Sequence, residues 1–215
     1  MIGFYNYTVV LTYMSLASST IGMMLALNGH FRLAITCLAL SGLFDMFDGK
    51  VARTKKNRSD DEKMFGIQID SLCDAVCFGF FPGIFCYAMG MRGYLAVAVI
   101  VFYATCAVIR LAFFNVLEMN RQKHEGGANK FYHGLPVTSI AVILPVVFLL
   151  NFVMSAQMFY WTLIATLLIT GTAFIVDFKL RKPNNKELLV LVTIVAIVVV
   201  INLLYKKFFL IQPPM

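Results

Sequence analysis

The stretch FRLAITCLALSGLFDMFDGKVAR, Phe31–Arg53, is an apolar run that ends in two aspartates, a glycine, a lysine and an arginine. Its first part reads as a helix buried in lipid. Its last part puts Asp45 and Asp48 where that span is ending. The rest of the chain has the same greasy character: 215 residues, 60% hydrophobic and 13% charged, with a mean hydropathy of +0.81. Soluble domains carry about 25% charge. The composition therefore predicts an all-α polytopic membrane protein, a helical bundle of about 6–8 transmembrane helices, each about 20 residues long. At this length we expect residues 1–215 to form a single domain.

Working outward from the opening stretch, seven spans are expected, at 8–28, 31–52, 66–90, 93–117, 134–154, 157–176 and 187–206. Tight turns at Asn28-Gly29-His30 and Gly90-Met91-Arg92-Gly93 make hairpins of their neighbours. The N-terminal MIGFYNYTVVLTYM has neither a basic region nor a small-residue cleavage site, so it reads as a first span and not a signal peptide. Cys37, Cys73, Cys77, Cys86 and Cys106 lie inside apolar runs and read as small buried hydrophobes.

Twelve of the 18 basic residues fall in three loops. Residues 53–64 hold Arg53, Lys55, Lys56, Arg58 and Lys63. Residues 118–133 hold Arg121, Lys123 and Lys130, and residues 177–186 hold Lys179, Arg181, Lys182 and Lys186. The positive-inside rule makes these loops cytoplasmic, with the N-terminus inside and the C-terminus outside. The net charge of +7 suits anionic headgroups of membrane lipid. No basic-aromatic patch points to nucleic acid.

Four of the 11 acidic residues are Asp45, Asp48, Asp70 and Asp74, in or near spans. An aspartate at mid-span costs about 2.5–3.5 kcal/mol on insertion scales, so four of them need a cation or a wet cavity. Asp45 and Asp48 are i,i+3 on one helix; Asp70 and Asp74 are i,i+4 on the next. The two helices flank one loop and run antiparallel, so the carboxylates can meet at one depth just below the cytoplasmic surface. Hard oxygen donors with few imidazoles nearby suit Mg2+ or Mn2+ better than zinc, and Mg2+ keeps positions open for phosphate oxygens. Ser59 followed by Glu62 reads as a capping box, with Asp60 and Asp61 favourable at the positive helix end. The third helix is therefore expected to start near Asp60, before it enters the membrane. Gly49, Ala52 and Gly66 are small residues on the same helices. They suit either helix packing or close backbone approach by a flat ligand.

Asp45-x-x-Asp48-Gly49-x-x-Ala52-Arg53 followed by Gly66-x-x-x-Asp70-x-x-x-Asp74 resembles the signature of the CDP-alcohol phosphotransferase family. The resemblance covers most of residues 40–140. Within the family, IDSLCDAVCFGFFPG (69–83), RLAFFN (110–115) and GLPVT (134–138) are similar to segments of the phosphatidylserine synthase branch. Departures are Phe113 for an arginine, Thr138 for a proline, and Gln68 where that branch often has glutamate. The 12 residues between Arg53 and Gly66 make a longer link than the family's. The excess is about one helical turn, which would extend the third helix into the cytoplasm and keep Asp70 and Asp74 in phase.

The resemblance implies a transferase of phospholipid biosynthesis that binds CDP-diacylglycerol with its diphosphate on a divalent metal. An acceptor alcohol, L-serine for this branch, attacks the lipid-side phosphorus and CMP leaves. It further implies Asp45, Asp48 and Asp70 as metal ligands and Asp74 as general base and possible ligand. Gly49, Ala52, Arg53 and Gly66 would face the nucleotide, the active site would lie at the cytoplasmic face of the cell membrane, and the chain would form a homodimer. Arg110, about two turns inside the fourth span, calls for an anion: the acceptor's carboxylate, a lipid phosphate or a motif aspartate. Snorkelling to the surface is the other reading. His133, Asn115 and Gln68 are further candidates for the acceptor side. Other acceptors (inositol phosphate, glycerol phosphate, an amino alcohol) stay open, as does a cation transporter, which would instead hold its carboxylates near the bilayer midplane.

Overall fold

The computed structural model describes residues 3–4, 6–52, 54–55, 59–123, 131–181 and 185–204. Among them seven helical rods follow one another. They are α1 (Val10–Leu27), α2 (Phe31–Ala52), a composite third rod, α5 (Tyr94–Lys123), α6 (Ile140–Leu149), α7 (Ala156–Ile175) and α8 (Asn185–Leu204). The third rod joins α3 (Asp60–Asp74), a π-helical turn (Ala75–Phe80) and α4 (Phe81–Ala88) without a break. Two three-residue strands, β1 (Phe131–His133) and β2 (Lys179–Arg181), pair antiparallel with Tyr132 opposite Leu180. That pair is a small addition to the expected all-helical bundle, and it ties two of the three basic loops together at one end.

Among the described residues four rods are long and apolar enough to cross a membrane: Tyr7–Leu27, Asp60–Ala88, Tyr94–Asn120 and Ala156–Ile175. Helix α2 has the length but carries Arg32, Asp45, Asp48 and Lys50. The apolar stretches Val137–Phe152 and Val190–Leu204 are shorter. Apolar side chains fill both the inside and the outside. Phe78, Phe81 and Phe85 are fully buried while Leu27, Ile169 and Leu204 stand more than 60% exposed. A helix apolar all round belongs in lipid, and the chain is an integral membrane protein. All five cysteines are free, four of them buried, as expected of small hydrophobes.

Local chemistry sets the turns. The α1–α2 hairpin closes with Gly29 at φ +78° and the His30 N–H donating to Leu25 O at 2.8 Å, a left-handed helix cap. The α4–α5 turn closes similarly, Met91 N–H to Cys86 O at 3.0 Å. Small residues set the crossings: a Cβ at Gly22 would sit 2.5 Å from Phe81 Cζ, and one at Gly42 2.5 Å from Ala141 Cβ. The edge-to-face chain Phe31–Phe85–Phe148 runs through the middle of the core. Asn202 Nδ2 donates to Pro145 O at 3.4 Å, linking α8 to α6.

The π-helical turn follows directly on Asp74. Its wider winding takes up one extra residue, and Tyr103 Oη, fully buried on α5, donates to the Phe78 carbonyl at 2.7 Å. One residue is about 100° of helix rotation. The turn thus resets the phase between the aspartates upstream and the buried phenylalanines downstream.

Gly134 opens the segment leading to α6. Its φ is +71°, its N–H donates to Phe178 O at 2.8 Å, and a Cβ there would lie 2.9 Å from Val176 O. Gly134→Ala is therefore expected to cost about 1–3 kcal/mol. A thiol-reactive dye reporting on the buried cysteines during thermal unfolding checks this, since Tm should fall by several degrees. An unchanged Tm would show that the segment yields freely.

Candidate active site

The link between α2 and α3 folds as the expected capping box. Ser59 Oγ accepts from Glu62 N–H at 3.1 Å and Glu62 Oε2 accepts from Ser59 N–H at 3.2 Å, so α3 begins at Asp60. Glu62 also meets Lys55 Nζ at 2.8 Å and Asn6 Nδ2 at 3.4 Å. Tyr7 Oη lies 3.1 Å from Thr54 Oγ1, and the Phe4 and Phe65 rings meet edge-on at 5.6 Å. The longer link is thus spent on a helical turn, and the segment before α1 fastens that turn in place.

Beyond it the carboxylates converge. Asp45, Asp70 and Asp74 each offer an oxygen, all within 4.8 Å of one another, a grouping that could hold a metal ion. Asp45 is within hydrogen-bond reach of Asp74, and Asp48 of Asp70. Asp48 stands a step outside the threesome and is 8% exposed; its Oδ2 accepts from Thr12 Oγ1 at 3.0 Å. Asp70 Oδ1 is buried with no hydrogen-bond partner. No lysine or arginine among the described residues forms an ion pair with these four groups. Carboxyl groups this crowded repel one another unless a cation or protons come between them.

Around the cluster, the space beside Gly49 is open: among the described residues a Cβ there would meet nothing within 4 Å. That separates it from Gly22 and Gly42, whose hydrogens face close helix crossings. Ala52 ends α2 half-buried, and Gly66 lies half-buried one turn before Asp70. Arg53 lies outside the described residues. Arg110 is 5% exposed, and its Nε donates to Leu135 O at 3.3 Å, within the GLPVT segment. Asn115 accepts from Ser71 Oγ at 2.5 Å and donates to Gln68 Oε1 at 3.4 Å; Gln68 Nε2 in turn reaches Met119 Sδ at 4.0 Å. His133 pairs with Lys179 in the strand ladder.

The sequence reading overlooked Thr12, Ser71 and the Leu135 carbonyl. Thr12 had left a trace: Thr12, Ser15 and Ser19 repeat at helical spacing inside an apolar span. The arrangement is a cluster of hard oxygen donors near one end of the bundle, with open backbone on α2 and a buried guanidinium on α5. It is suited to a cation and, through the cation, to phosphate oxygens.

Residues 5–170 match the family model described as CDP-alcohol phosphatidyltransferase. The chain is 37% identical over 109 residues to a CDP-diacylglycerol–serine O-phosphatidyltransferase of Saccharomyces cerevisiae, covering 50% of this chain and 38% of that protein. It is 30% identical to one of Mycobacterium bovis, covering 77% and 56%. To an archaetidylserine synthase of Methanothermobacter thermautotrophicus it is 31% identical, covering 66% and 58%. The matches thus span between 38% and 58% of these curated relatives.

Proposed function

This chain belongs to the CDP-alcohol phosphatidyltransferase family, and from that premise we propose that it transfers a phosphatidyl group from CDP-diacylglycerol to the hydroxyl of L-serine. The serine oxygen forms a bond to the lipid-side phosphorus, the bond from that phosphorus to the CMP oxygen breaks, and the hydroxyl proton passes to Asp74. The observation that carries the reading is the half-buried Asp45–Asp70–Asp74 cluster beside the open face of Gly49. The relatives' names supply the acceptor, serine.

The residues fit a divalent ion, Mg2+ or Mn2+, held by Asp45, Asp48, Asp70 and Asp74. All donors are hard oxygens, and one buried oxygen on Asp70 has no protein partner. When bound, such an ion neutralises diphosphate charge and polarises the phosphoryl group. The protein's own part is positioning. The nucleotide is assigned to Gly49, where among the described residues a Cβ would meet nothing within 4 Å, and, by family resemblance, to Ala52, Arg53 and Gly66. Asp74, closed in by its neighbours, takes the proton. Arg110, steadied by the Leu135 carbonyl, receives the acceptor's carboxylate or a lipid phosphate, and Asn115, Gln68 and His133 are further candidates for the acceptor.

The site is proposed to face the cytoplasm, because the α2–α3 link beside it is rich in basic residues in the sequence, Lys55 and Lys63 among them. We propose that residues 1–215 work as one domain, supported by the Asn202–Pro145 link, and that two copies associate, by family resemblance.

The test is CMP release from CDP-diacylglycerol by purified protein with Mn2+ or Mg2+ while the acceptor is varied. Release should depend on L-serine; release only with inositol phosphate or glycerol phosphate would move the chain to a sister activity. Arg110→Ala should raise the serine KM or lower the rate by about 10- to 100-fold, the worth of a charge-assisted hydrogen bond. Unchanged serine dependence and rate in Arg110→Ala would remove it from the acceptor site.

A further inference from the structure

Thr12, on α1, lies outside the Asp45–Asp74 motif, yet it touches that motif directly. Its Oγ1 is 3.0 Å from Asp48 Oδ2, and both residues are buried, at 5% and 8% exposure. The choice of partner is informative. A threonine inside a helix ordinarily bonds back to the carbonyl four residues earlier. Thr20, Thr36, Thr105, Thr162, Thr166 and Thr172 all do so here, at 2.7–2.9 Å. Thr12 instead spends its one hydrogen across the helix interface on a carboxylate.

The interface around it is built to hold that geometry. Ser15 Oγ lies 2.6 Å from Ser41 Oγ, and Ser19 Oγ donates to Ser41 Oγ at 2.8 Å. Ser41 sits one turn before Asp45. These bonds fix the sliding and rotation of α1 against α2, and with them the direction of the Thr12 hydroxyl. The hydroxyl holds Asp48 by its Oδ2, and the carboxyl so held is within reach of Asp70.

We infer that Thr12 is a positioning residue for the divalent cation: it orients Asp48 so that this carboxylate can join Asp45, Asp70 and Asp74 around the ion. The inference rests on the proposed metal site. Groups that orient a metal ligand typically govern affinity by about 10- to 100-fold, and Thr12 should act within that range.

The experiment is Mn2+ titration of the full chain in detergent, without substrate, reading free Mn2+ by electron paramagnetic resonance. Thr12→Val keeps shape and removes the hydroxyl, and should weaken Mn2+ binding about tenfold or more. Thr12→Ser restores the donor and should bind close to the parent. Thr20→Val removes a hydroxyl that bonds back within α1, to Leu16 O, and should leave Mn2+ binding as in the parent. In turnover, Thr12→Val should need correspondingly more Mn2+ for half-maximal CMP release and recover at saturation. Should Thr12→Val not fold, Thr12→Ala takes its place with the same expectation.

Parent-like Mn2+ binding by Thr12→Val overturns the inference alone. So does equal weakening in Thr12→Ser or Thr20→Val, which would make the effect one of packing. A parent chain that binds no Mn2+ overturns the metal site and this inference together.

Discussion

Asp70→Asn is expected to abolish CMP release while leaving the protein folded. The substitution keeps the side chain's size and removes one negative charge from the middle of the cluster. Asp70 is the hub of that cluster, one of the three carboxylates within 4.8 Å and the neighbour of Asp48 as well. Losing a ligand from a cation that stabilises developing phosphoryl charge forfeits several kcal/mol, which is about a thousandfold or more in rate. Stability should move the other way or not at all. Asp70 Oδ1 is buried without a partner, and a neutral amide there is cheaper to bury than an unpaired carboxylate. Measuring turnover and thermal unfolding on the same preparation separates the two effects. An Asp70→Asn protein that unfolds like the parent and still turns over within about tenfold of it would remove Asp70 from the metal site.

Stripping divalent ions is the second large effect. With EDTA present, CMP release should fall to background, and Mg2+ or Mn2+ in excess should restore it. The same addition should stabilise the parent, because an ion that binds the folded state alone contributes about 2.7 kcal/mol at 100 times its Kd. That corresponds to several degrees of Tm, and Asp70→Asn should show little of it. Ligands bind as carboxylates, so metal affinity should weaken as pH falls. Full turnover in EDTA would refute a metal-dependent reaction outright. Turnover lost without any metal-induced stabilisation would assign the ion to the substrate and not to the four aspartates.

Much of this was legible in the sequence because it depends on spacing. The i,i+3 and i,i+4 aspartates on two helices flanking one loop could converge in few other ways, and Ser59 with Glu62 fixed where the second helix begins. The long link was readable for the same reason, since its excess is about a turn and that turn has its own cap. Family membership then removes the support for the ion-transport alternative. What escaped reading depends on partners distant in the chain. The π-helical turn leaves no pattern in AVCFGF; the hydroxyl at its Phe78 carbonyl comes from Tyr103 on another helix. Thr12 looks like any span threonine until α2 is laid beside it. The β1–β2 pair joins loops that read only as basic, and its short strands have no period to detect.

The order of these parts along the chain bears on how the protein is made. Thr12, Asp45, Asp48, Asp70 and Asp74 all belong to α1, α2 and α3, so the cluster is complete once the third rod has left the ribosome. A cation or protons taken up between its carboxylates can then neutralise them before the later helices arrive. The Phe78 carbonyl receives the Tyr103 hydroxyl only when α5 follows. Chain order thus separates two tasks: three rods carry the polar centre, and a later helix locks the phase of the rod before it.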